Sequence, residues 1–360
     1  MYVEPDAPNS LFTSSQQYIE ISDFNNGSNN KKINFYPHNK NGDVAIFKDG
    51  KLELQPCKNI VSEYNLGKRI YESLDKDILW ILPSWDNIGD VFKIASLSAP
   101  HKKYHGVEKL GIIVRNRLKG IASLFDGIDY ELNLKITEYN AIRTYVQYEM
   151  LYRSKVLYCA FSWPPFASLT GMTSQSYQLE LFDELYDLSY ESDRFKRLMF
   201  LPNNVEFTKI NTHPTKMEKK ILLNPFGGWV YTKFPSIRQS VFDLMEKLSI
   251  YFHDKGYEVY TNSNNQKFSF SNSKVITLSV CALANEVNRY SAIISICTGL
   301  TDMLALSESR LHVIYPNSEW ATTFSRRALR NSPNLHEYIL HDIDVLYHEI
   351  INQCENGLNT

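Results

Sequence analysis

The amino-acid sequence predicts an α/β protein made of two consecutive open domains, each with a mainly parallel sheet that is covered by helices on both faces. The chain has 360 residues, which is too long for one ordinary core. From residue 77 onward, apolar strand-like runs alternate with helical stretches, and a polar segment over residues 203–219 separates two such series. Because hydrophobic residues make up 43% and charged residues 22%, we expect a folded rather than a disordered chain.

Residues 1–72 differ from the rest and predict a small β-rich N-terminal extension. Asn, Ser and Lys are dense over residues 24–43, and residues 43–54 contain two short strand-like runs. Between these runs, Asp49-Gly50 supplies the positive φ angles of a tight turn, so we expect a β-hairpin.

Residues 73–215 are predicted to form the N-terminal α/β domain. Its first strand is a continuous apolar run over residues 77–85, which is typical of a strand covered on both faces. The other expected elements are strands over 110–114, 130–136 and 155–161 and helices over 91–97, 117–125, 138–152 and 177–188.

Residues 216–332 are predicted to form the second α/β domain, and residues 333–360 a terminal helix. The clearest element is an amphipathic helix over 236–256, in which apolar residues recur at helical spacing until Gly256. The other expected elements are strands over 221–224, 257–261, 275–278, 292–296 and 311–315 and helices over 282–290, 300–306 and 335–354.

Charge and hydropathy argue against two classes of protein. The 38 Lys and Arg residues are balanced by 40 Asp and Glu residues, so no global positive field exists and we expect no nucleic-acid partner. No apolar run approaches the roughly 20 residues that span a bilayer, and the first ten residues carry no signal-peptide pattern. We therefore expect a cytoplasmic protein, with at most peripheral contact at the inner face of the cell membrane.

The cysteines predict neither a disulfide framework nor a structural metal site. Their number is odd, and no pair has the spacing of a zinc site. We expect buried free thiols in a reducing compartment at these five positions. They are Cys57, Cys159, Cys281, Cys297 and Cys354.

Ligands of open α/β sheets bind at the carboxyl ends of the strands, so three strand-to-helix loops are candidates for chemistry. The first loop is residues 86–90, in which Gly89 permits a sharp turn and Asp90 stands at a helix start. Asp90 is either a general base for an acceptor hydroxyl or an ordinary helix-capping residue.

The second loop runs from Asn224 through Gly227 and Gly228 towards Lys233. The two glycines expose backbone N–H groups before a helix, and Lys233 offers a positive charge to a phosphate. The alternative is a glycine turn with a solvated lysine. The spacing is not that of a Walker loop, which has Gly-Lys-Ser/Thr at the helix start.

The third loop follows a buried strand and leads from Cys297 through Thr298 and Gly299 into a helix. Its N–H groups, the helix dipole and the hydroxyls of Thr298 and Thr301 converge on one point, which suits a diphosphate. The alternative is ordinary capping by either threonine.

Three motifs in this order resemble those of the lipopolysaccharide heptosyltransferases and the wider family of inverting glycosyltransferases with the GT-B fold. They are Asn87-Ile88-Gly89-Asp90, the run ILLNPFGGWVYTKFP over residues 221–235, and TLSVCALANEVNRYSAIISICTGLTDM over residues 277–303. The resemblance covers residues 77–330. It implies two Rossmann-like domains that face each other across a cleft, with a terminal helix that packs back towards the N-terminal domain.

The resemblance also implies roles for individual residues. Asp90 corresponds to the catalytic base. Two departures from the family pattern, Cys297 for Asp and Asp302 for His, leave open either a different donor sugar or a site without activity. The expected donor-binding residues are Asn224, Gly227, Gly228, Lys233, Thr298, Gly299, Leu300 and Asp302.

Acceptor binding is expected from positive side chains in the first domain. Lys102 and Lys103 follow the first helix and Arg115 follows the second strand, where they suit an anionic glycan, although a solvated loop is the alternative. The segment Trp163–Phe166 is equally consistent with an apolar wall for a sugar ring and with core.

The predicted activity is inverting, metal-independent transfer of a sugar from a nucleotide-diphosphate donor to a glycan or lipid-linked glycan acceptor, in bacterial surface-polysaccharide or lipopolysaccharide assembly. Fixed N–H and ammonium donors would stabilise the leaving phosphates, so no cofactor or metal is expected. The triplet Asp342-Ile343-Asp344 lies in the predicted terminal helix and is interpreted as surface rather than as a metal site. The alternatives are a nucleotide-sugar epimerase or hydrolase of the same fold, and a non-catalytic glycan-binding or partner subunit.

Overall fold

The computed structural model describes most of the chain from residue 58 onward and short strands before it. The predicted helix over 177–188, the segment Trp163–Phe166, and Cys57 and Asp86 lie outside the described residues. The described ranges are 10–12, 18–21, 33–34, 43–48, 51–56, 58–83, 87–148, 155–159, 191–211, 217–263, 268–330 and 332–358.

The N-terminal extension contains two small antiparallel sheets. The first is formed by β1 (Ser10–Phe12), β2 (Tyr18–Ile21) and β3 (Ile33–Asn34). In the second, β4 (Asp43–Lys48) and β5 (Lys51–Pro56) pair antiparallel with Lys48 opposite Lys51. This register leaves two residues for the turn, so the predicted hairpin is confirmed.

The expectation that the whole of residues 1–72 is β-rich is wrong for its last part, because α1 (Lys58–Ser73) is a helix. It packs on α4 (Ile136–Tyr148). The two helices approach so closely that a Cβ on Gly67 would lie 2.0 Å from the Ala141 carbonyl oxygen. The ring of Tyr64 meets that of Tyr145 edge-on, so aromatic packing and a glycine contact hold this helix where strand was predicted.

The described residues divide into two compact units. The first comprises those within 1–85, 108–116 and 132–188, and the second those within 86–107, 117–131 and 189–360. The segments that follow the first two strands of the N-terminal sheet thus group with the C-terminal part of the chain. The predicted boundaries after residues 72, 215 and 332 stay predictions.

A four-stranded sheet contains β6 (Leu79–Pro83) and β7 (Leu110–Arg115), with β8 (Tyr130–Leu134) and β9 (Val156–Cys159) at its edges. The order is β8-β7-β6-β9, and β6 pairs parallel with both β7 and β9. Nearly every residue of β6 and β7 is buried, as the continuous apolar runs predicted.

The predicted helix over 117–125 is replaced by two short 3₁₀ turns, Asn116–Leu118 and Ile121–Leu124. Between them Gly120 adopts a φ angle of +94°, which interrupts a right-handed helix. The Glu131 carboxylate then accepts hydrogen bonds from the Gly120 and Ala122 N–H groups, both at 2.8 Å. The segment therefore closes around a side chain instead of continuing as an α-helix.

The second unit is built on a six-stranded parallel sheet of order β12-β11-β10-β13-β14-β15. Apolar residues of β10 and β13 are fully buried and form the centre of its core. The strands are β10 (Glu218–Asn224), β11 (Glu258–Asn262), β12 (Ser273–Ile276), β13 (Tyr290–Ile296), β14 (Leu311–Tyr315) and β15 (Leu335–Ile339).

Eight helices of the second unit are described before its terminal helix. The longest of these eight helices is α7, and it confirms the predicted amphipathic helix over 236–256, since each of its ends lies within two residues of the predicted one. They are α2 (Ile88–Ser96), α3 (Ser98–His105), α5 (Glu191–Leu198), α6 (Gly228–Lys233), α7 (Ile237–Asp254), α8 (Val280–Glu286), α9 (Gly299–Ala305) and α10 (Ser318–Thr323).

The predicted terminal helix over 335–354 is wrong in its first half. Leu335–Ile339 is strand β15, paired parallel with β14, and the helix α11 spans Ile343–Leu358. The break lies at Asp342, whose Oδ1 accepts the N–H groups of Asp344 and Val345 at 3.0 and 3.1 Å, as a helix N-cap does. The Asp-x-Asp triplet therefore begins this helix instead of lying inside it.

Helix α11 packs on α7 in the core of its own unit. Its buried face contributes Leu346, Ile350 and Cys354, and Lys247 of α7 forms an ion pair with Asp344. The predicted return of this helix towards the N-terminal domain stays a prediction.

The cysteines within the described residues, Cys159, Cys281, Cys297 and Cys354, are free and buried, as expected. Burial raises the pKa of the Cys159 thiol to about 12, so this group stays protonated and inert. Within the described ranges, no helix combines the length and apolar character that crossing a bilayer requires.

His101 of α3 is a buried imidazole that is held in its neutral form. Its Nδ1 lies 2.8 Å from the Met199 carbonyl oxygen, and its ring lies against His105. Burial lowers the pKa of His101 to about 4, and the neighbouring His105 also lowers it, against the opposing effect of the Met199 carbonyl.

We expect His101 to make the protein acid-sensitive. Because its pKa is about 4 in the folded chain and 6.5 as its ordinary value, the unfolded chain binds an extra proton between these values. Stability therefore falls as the pH drops from about 6.5 to 4, by up to about 3 kcal/mol. Urea unfolding at several pH values should show that the free energy of unfolding declines less steeply with falling pH in His101→Gln than in the unmodified protein. The exposed His253→Gln is the control, and an unchanged slope for His101→Gln would contradict this account.

Candidate functional site

The strand order of the second unit reverses between β10 and β13. From β10 the chain proceeds through β11 to β12 on one side, and then returns to place β13 on the other side of β10. In open α/β sheets, ligands bind at the carboxyl edge beside such a reversal. The loops after β10 and β13 are the second and third loops predicted from the sequence.

A polar chain of side chains crosses the sheet at this edge. Asn224, the last residue of β10, is buried. Its Nδ2 donates to the Ser295 hydroxyl of β13 at 2.7 Å, and its Oδ1 accepts from Asn262 of β11 at 3.1 Å. Asn224 thus joins three strands, and its predicted contact with a donor stays a prediction.

The loops after β10 and β13 contact each other. A Cβ on Gly227 would lie 3.0 Å from Thr298 Cγ2, so glycine is the residue that lets the loops approach. Gly228 next to it is exposed, and a Cβ there would meet nothing within 4 Å. The structure therefore brings together Gly227, Gly228 and Thr298, as the sequence predicted.

The hydroxyls of Thr298 and Thr301 cap helix α9. Thr298 Oγ1 accepts the Leu300 N–H at 3.2 Å, while Thr301 Oγ1 accepts the Thr298 N–H at 3.2 Å and donates to the Thr298 carbonyl at 2.6 Å. This is a capping box. The ordinary capping role left open by the sequence is present, and it presents Gly299 and Leu300 half-buried at the helix start.

Asp90 lies in the first turn of α2, which begins at Ile88 and not at residue 91 as predicted. The N-cap position is Asn87, and its Nδ2 donates to Asp90 Oδ2 at 3.2 Å. Asp90 is half-buried. The N-cap residue is thus Asn87 and not Asp90, although a carboxylate in the first turn also stabilises a helix start, and the role of Asp90 as a base stays a prediction.

The start of α2 touches the start of α9. A Cβ on Gly299 would lie 2.9 Å from the Gly89 nitrogen, and a Cβ on Gly89 would lie 2.0 Å from Asp302 Oδ2. Asp90 follows Gly89 directly in the chain, so its Cα atom lies about 3.8 Å from that of Gly89 at this contact. The structure therefore places the predicted base beside the predicted diphosphate turn.

Asp302 is buried within a charged cluster. Its Oδ1 lies 3.4 Å from Lys93 Nζ and 2.9 Å from Arg326 Nε. Sequence reasoning missed both cations. Lys93 interrupts the apolar run of α2, which is a weak signal, whereas Arg326 stands in a polar segment and gives none.

Lys233 is the last residue of α6 and is exposed. It lies five positions after Gly228, which corresponds to about 7.5 Å of helix rise. Between them the indole of Trp229 is 57% exposed and packs on Trp320, with ring centroids 4.7 Å apart. Sequence reasoning did not anticipate this aromatic pair beside the loop.

The predicted acceptor-binding residues occupy different environments. Lys102 lies in the last turn of α3, where its Nζ donates to Asp129 at 2.7 Å, and Lys103 is exposed. Arg115 ends β7 in the first unit and is half-buried. Their role in binding an acceptor stays a prediction.

Comparison with solved structures identifies the fold. The E. coli ADP-heptose lipopolysaccharide heptosyltransferase II matches 78% of this chain and 98% of its own, at 13% identity and a TM-score of 0.54. The glycosyltransferase family 9 protein of Veillonella parvula matches 79% and 98%, at 13% identity and a TM-score of 0.53. The chain has the GT-B type of fold, with two α/β domains built on parallel sheets. The predicted fold class is confirmed.

No protein-family model matches the chain, and a search of curated proteins finds no match. The likeness to solved structures at this identity therefore establishes architecture, and the activity is a matter for the proposal below. In the part of the chain that the structure describes, no group of three or more His, Cys, Asp or Glu side chains could hold a metal ion.

Gly89→Ala should destabilise the protein by about 1–3 kcal/mol, because the new Cβ would overlap the Asp302 carboxylate and crowd Gly299. The matched control is Gly228→Ala, which adds a Cβ into open space at a helix start. It should be neutral or stabilising by up to about 1 kcal/mol. Urea denaturation measures both, and equal stabilities would refute the tight contact between α2 and α9.

Proposed function

We propose that this protein is a glycosyltransferase that moves a sugar from a nucleotide-diphosphate donor to a glycan or lipid-linked glycan acceptor, with inversion and without a metal ion. The observation that carries the proposal is the fold likeness to a heptosyltransferase over 98% of that enzyme's length. That enzyme is an ADP-heptose lipopolysaccharide heptosyltransferase. Surface-polysaccharide or lipopolysaccharide assembly is therefore the proposed setting.

The donor diphosphate binds, in this proposal, at the carboxyl edge between β10 and β13. The reversal of strand order supports this position, because ligands of open α/β sheets bind at the carboxyl edge beside such a reversal. The backbone of Gly227, Gly228 and Gly299 can approach a ligand closely, since these residues carry no side chain. The ammonium group of Lys233 is exposed on the helix that follows the same loop.

Loss of the nucleotide diphosphate requires stabilisation of the negative charge that builds on the leaving phosphates. Fixed N–H donors and an ammonium group supply it without reorganisation in a water-poor site. This is the reason for proposing metal independence. Asn224 contributes by holding β10, β11 and β13 in register beneath the loops, since both ends of its amide are already bonded to protein.

Asp90 is the proposed general base. Its carboxylate takes the proton from the acceptor hydroxyl as the oxygen attacks the anomeric carbon from the side opposite the leaving diphosphate. Direct displacement of this kind inverts the anomeric configuration. The contact between Gly89 and Gly299 supports the assignment, because it sets the base next to the turn that would hold the donor.

Asp90→Asn should lower kcat for sugar transfer by at least about 100-fold, because general-base catalysis contributes roughly this much. Nucleotide affinity should change less than about twofold, since Asn keeps the size and the hydrogen bond to Asn87. Initial rates with a nucleotide-sugar donor and calorimetric titration of the nucleoside diphosphate measure the two effects. Unchanged turnover would exclude Asp90 as the base.

A thermal-shift screen over nucleoside diphosphates and nucleotide sugars should identify at least one ligand that raises the melting temperature, because a ligand that binds only the folded state stabilises it. For that ligand, Lys233→Met should weaken binding about tenfold through loss of a charge-assisted contact. Lys247→Met removes a lysine whose partner is Asp344 on α11 and is the control. If no nucleotide raises the melting temperature, the donor proposal fails.

A further inference from the structure

Three charged side chains form a buried cluster between helices α2 and α9, which we call the Lys93–Asp302–Arg326 cluster. No side chain in it is more than 5% exposed. Both cations reach the same oxygen of Asp302, at 3.4 Å for Lys93 and 2.9 Å for Arg326. Two positive charges thus share one carboxylate in a region that excludes water.

Removing such charged side chains from water costs free energy of solvation. We therefore explain the cluster by the segments that its side chains hold in place. Lys93 stands on α2 three residues after Asp90, and its ammonium group also lies 4.7 Å from the centre of the Phe195 ring. It therefore fixes the helix that carries the proposed base.

Arg326 holds the other side of the cluster. Its Nη2 donates to the Thr298 carbonyl oxygen at 3.2 Å and lies 3.5 Å from Cys297 Sγ, while its Nε donates to Thr301 Oγ1 at 3.1 Å. These partners belong to the turn that precedes α9 and to its capping box. The planar guanidinium thus fixes the turn at three points.

The Asp302 carboxylate joins the two sides. Besides both cations, it lies against the first turn of α2, since a Cβ on Gly89 would be 2.0 Å from Oδ2. A negative charge is favourable beside the N-terminal turn of a helix. Because Asp302 is only 3% exposed and its Oδ1 contacts two cations, it is poorly placed to bind a sugar hydroxyl directly.

The two departures from the family pattern meet at Arg326. Cys297 stands where the family has an acidic residue and Asp302 stands where it has a histidine, and both side chains contact this arginine.

We propose that the Lys93–Asp302–Arg326 cluster consists of positioning residues that hold the Asp90-bearing start of α2 against the Thr298–Gly299 turn. Lys93 acts on the helix of the base, Arg326 acts on the donor turn, and Asp302 couples them without touching the donor. The effect on catalysis rests on the proposed function, whereas the effect on local order does not.

Hydrogen exchange followed by mass spectrometry tests the positioning role without substrate. Lys93→Met should speed exchange of the amides of α2 by about tenfold and leave α9 within about twofold. Arg326→Lys should speed exchange of the amides of α9 by about tenfold and leave α2 within about twofold, because lysine keeps the charge but lacks the planar guanidinium with its several N–H donors. Asp302→Asn should loosen both helices, and Lys274→Met, which removes an exposed ion pair with Glu258 between β12 and β11, should loosen neither. Peptides of α11 report global destabilisation, and all rates are read relative to them.

If Lys93→Met and Asp302→Asn leave the exchange of α2 unchanged relative to α11, the proposal is overturned. If Asp302→Asn does not fold, the opposite responses of Lys93→Met and Arg326→Lys still decide between positioning and general packing. Uniform loosening of α2, α9 and α11 in both of these variants would overturn the proposal in favour of a purely structural cluster.

Steady-state kinetics then separates the two sides. Lys93→Met should lower kcat by about 10- to 100-fold with the KM for the donor changed less than about twofold, because only the base is displaced. Arg326→Lys should raise the KM for the donor by about tenfold. Identical effects of both variants on kcat and KM would contradict the division of roles. Absence of transfer by the unmodified protein would refute the proposed function and leave the exchange result to judge the cluster.

Discussion

The reversal of strand order between β10 and β13 is the constraint on which the rest of the second unit depends. The chain proceeds to one side of β10 and then returns to the other, so the loops after β10 and β13 leave neighbouring strands at the same carboxyl edge. Polar side chains lie at this edge, where Asn224 forms hydrogen bonds with Asn262 and Ser295 and so connects three strands. The loops after the two strands meet at this edge, where Gly227 lies against Thr298.

The contact of α2 with α9 brings the proposed base next to the proposed donor turn. Glycine at positions 89 and 299 lets the helix starts touch, and the Asp302 carboxylate fills the remaining space between two cations. Such a buried ion cluster is a poor source of stability compared with apolar packing of the same volume. In our proposal, the cluster holds the proposed base and the proposed donor turn in a single defined arrangement.

The sequence was sufficient for features that depend on local pattern. Continuous apolar runs predicted the central strands, and Asp49-Gly50 predicted the hairpin. The run LHEYILHDIDVLYHEI was predicted to be one helix because its apolar residues fit helical spacing. In the structure, pairing with β14 makes its first part a strand, and the cap at Asp342 begins the helix after it. The ion pairs of Asp302 could not be predicted, since Lys93 and Arg326 come from distant segments that only the folded chain brings together.

The most direct measurement is a crystal structure with a nucleoside diphosphate bound. We expect the diphosphate to lie over the carboxyl ends of β10 and β13, within hydrogen-bond distance of backbone N–H groups of Gly227–Gly228 and Thr298–Gly299, with Lys233 directed at it. We also expect Asp302 to keep both cations. A diphosphate bound elsewhere, or one in direct contact with Asp302 after the cluster has opened, would contradict the proposed arrangement of the site.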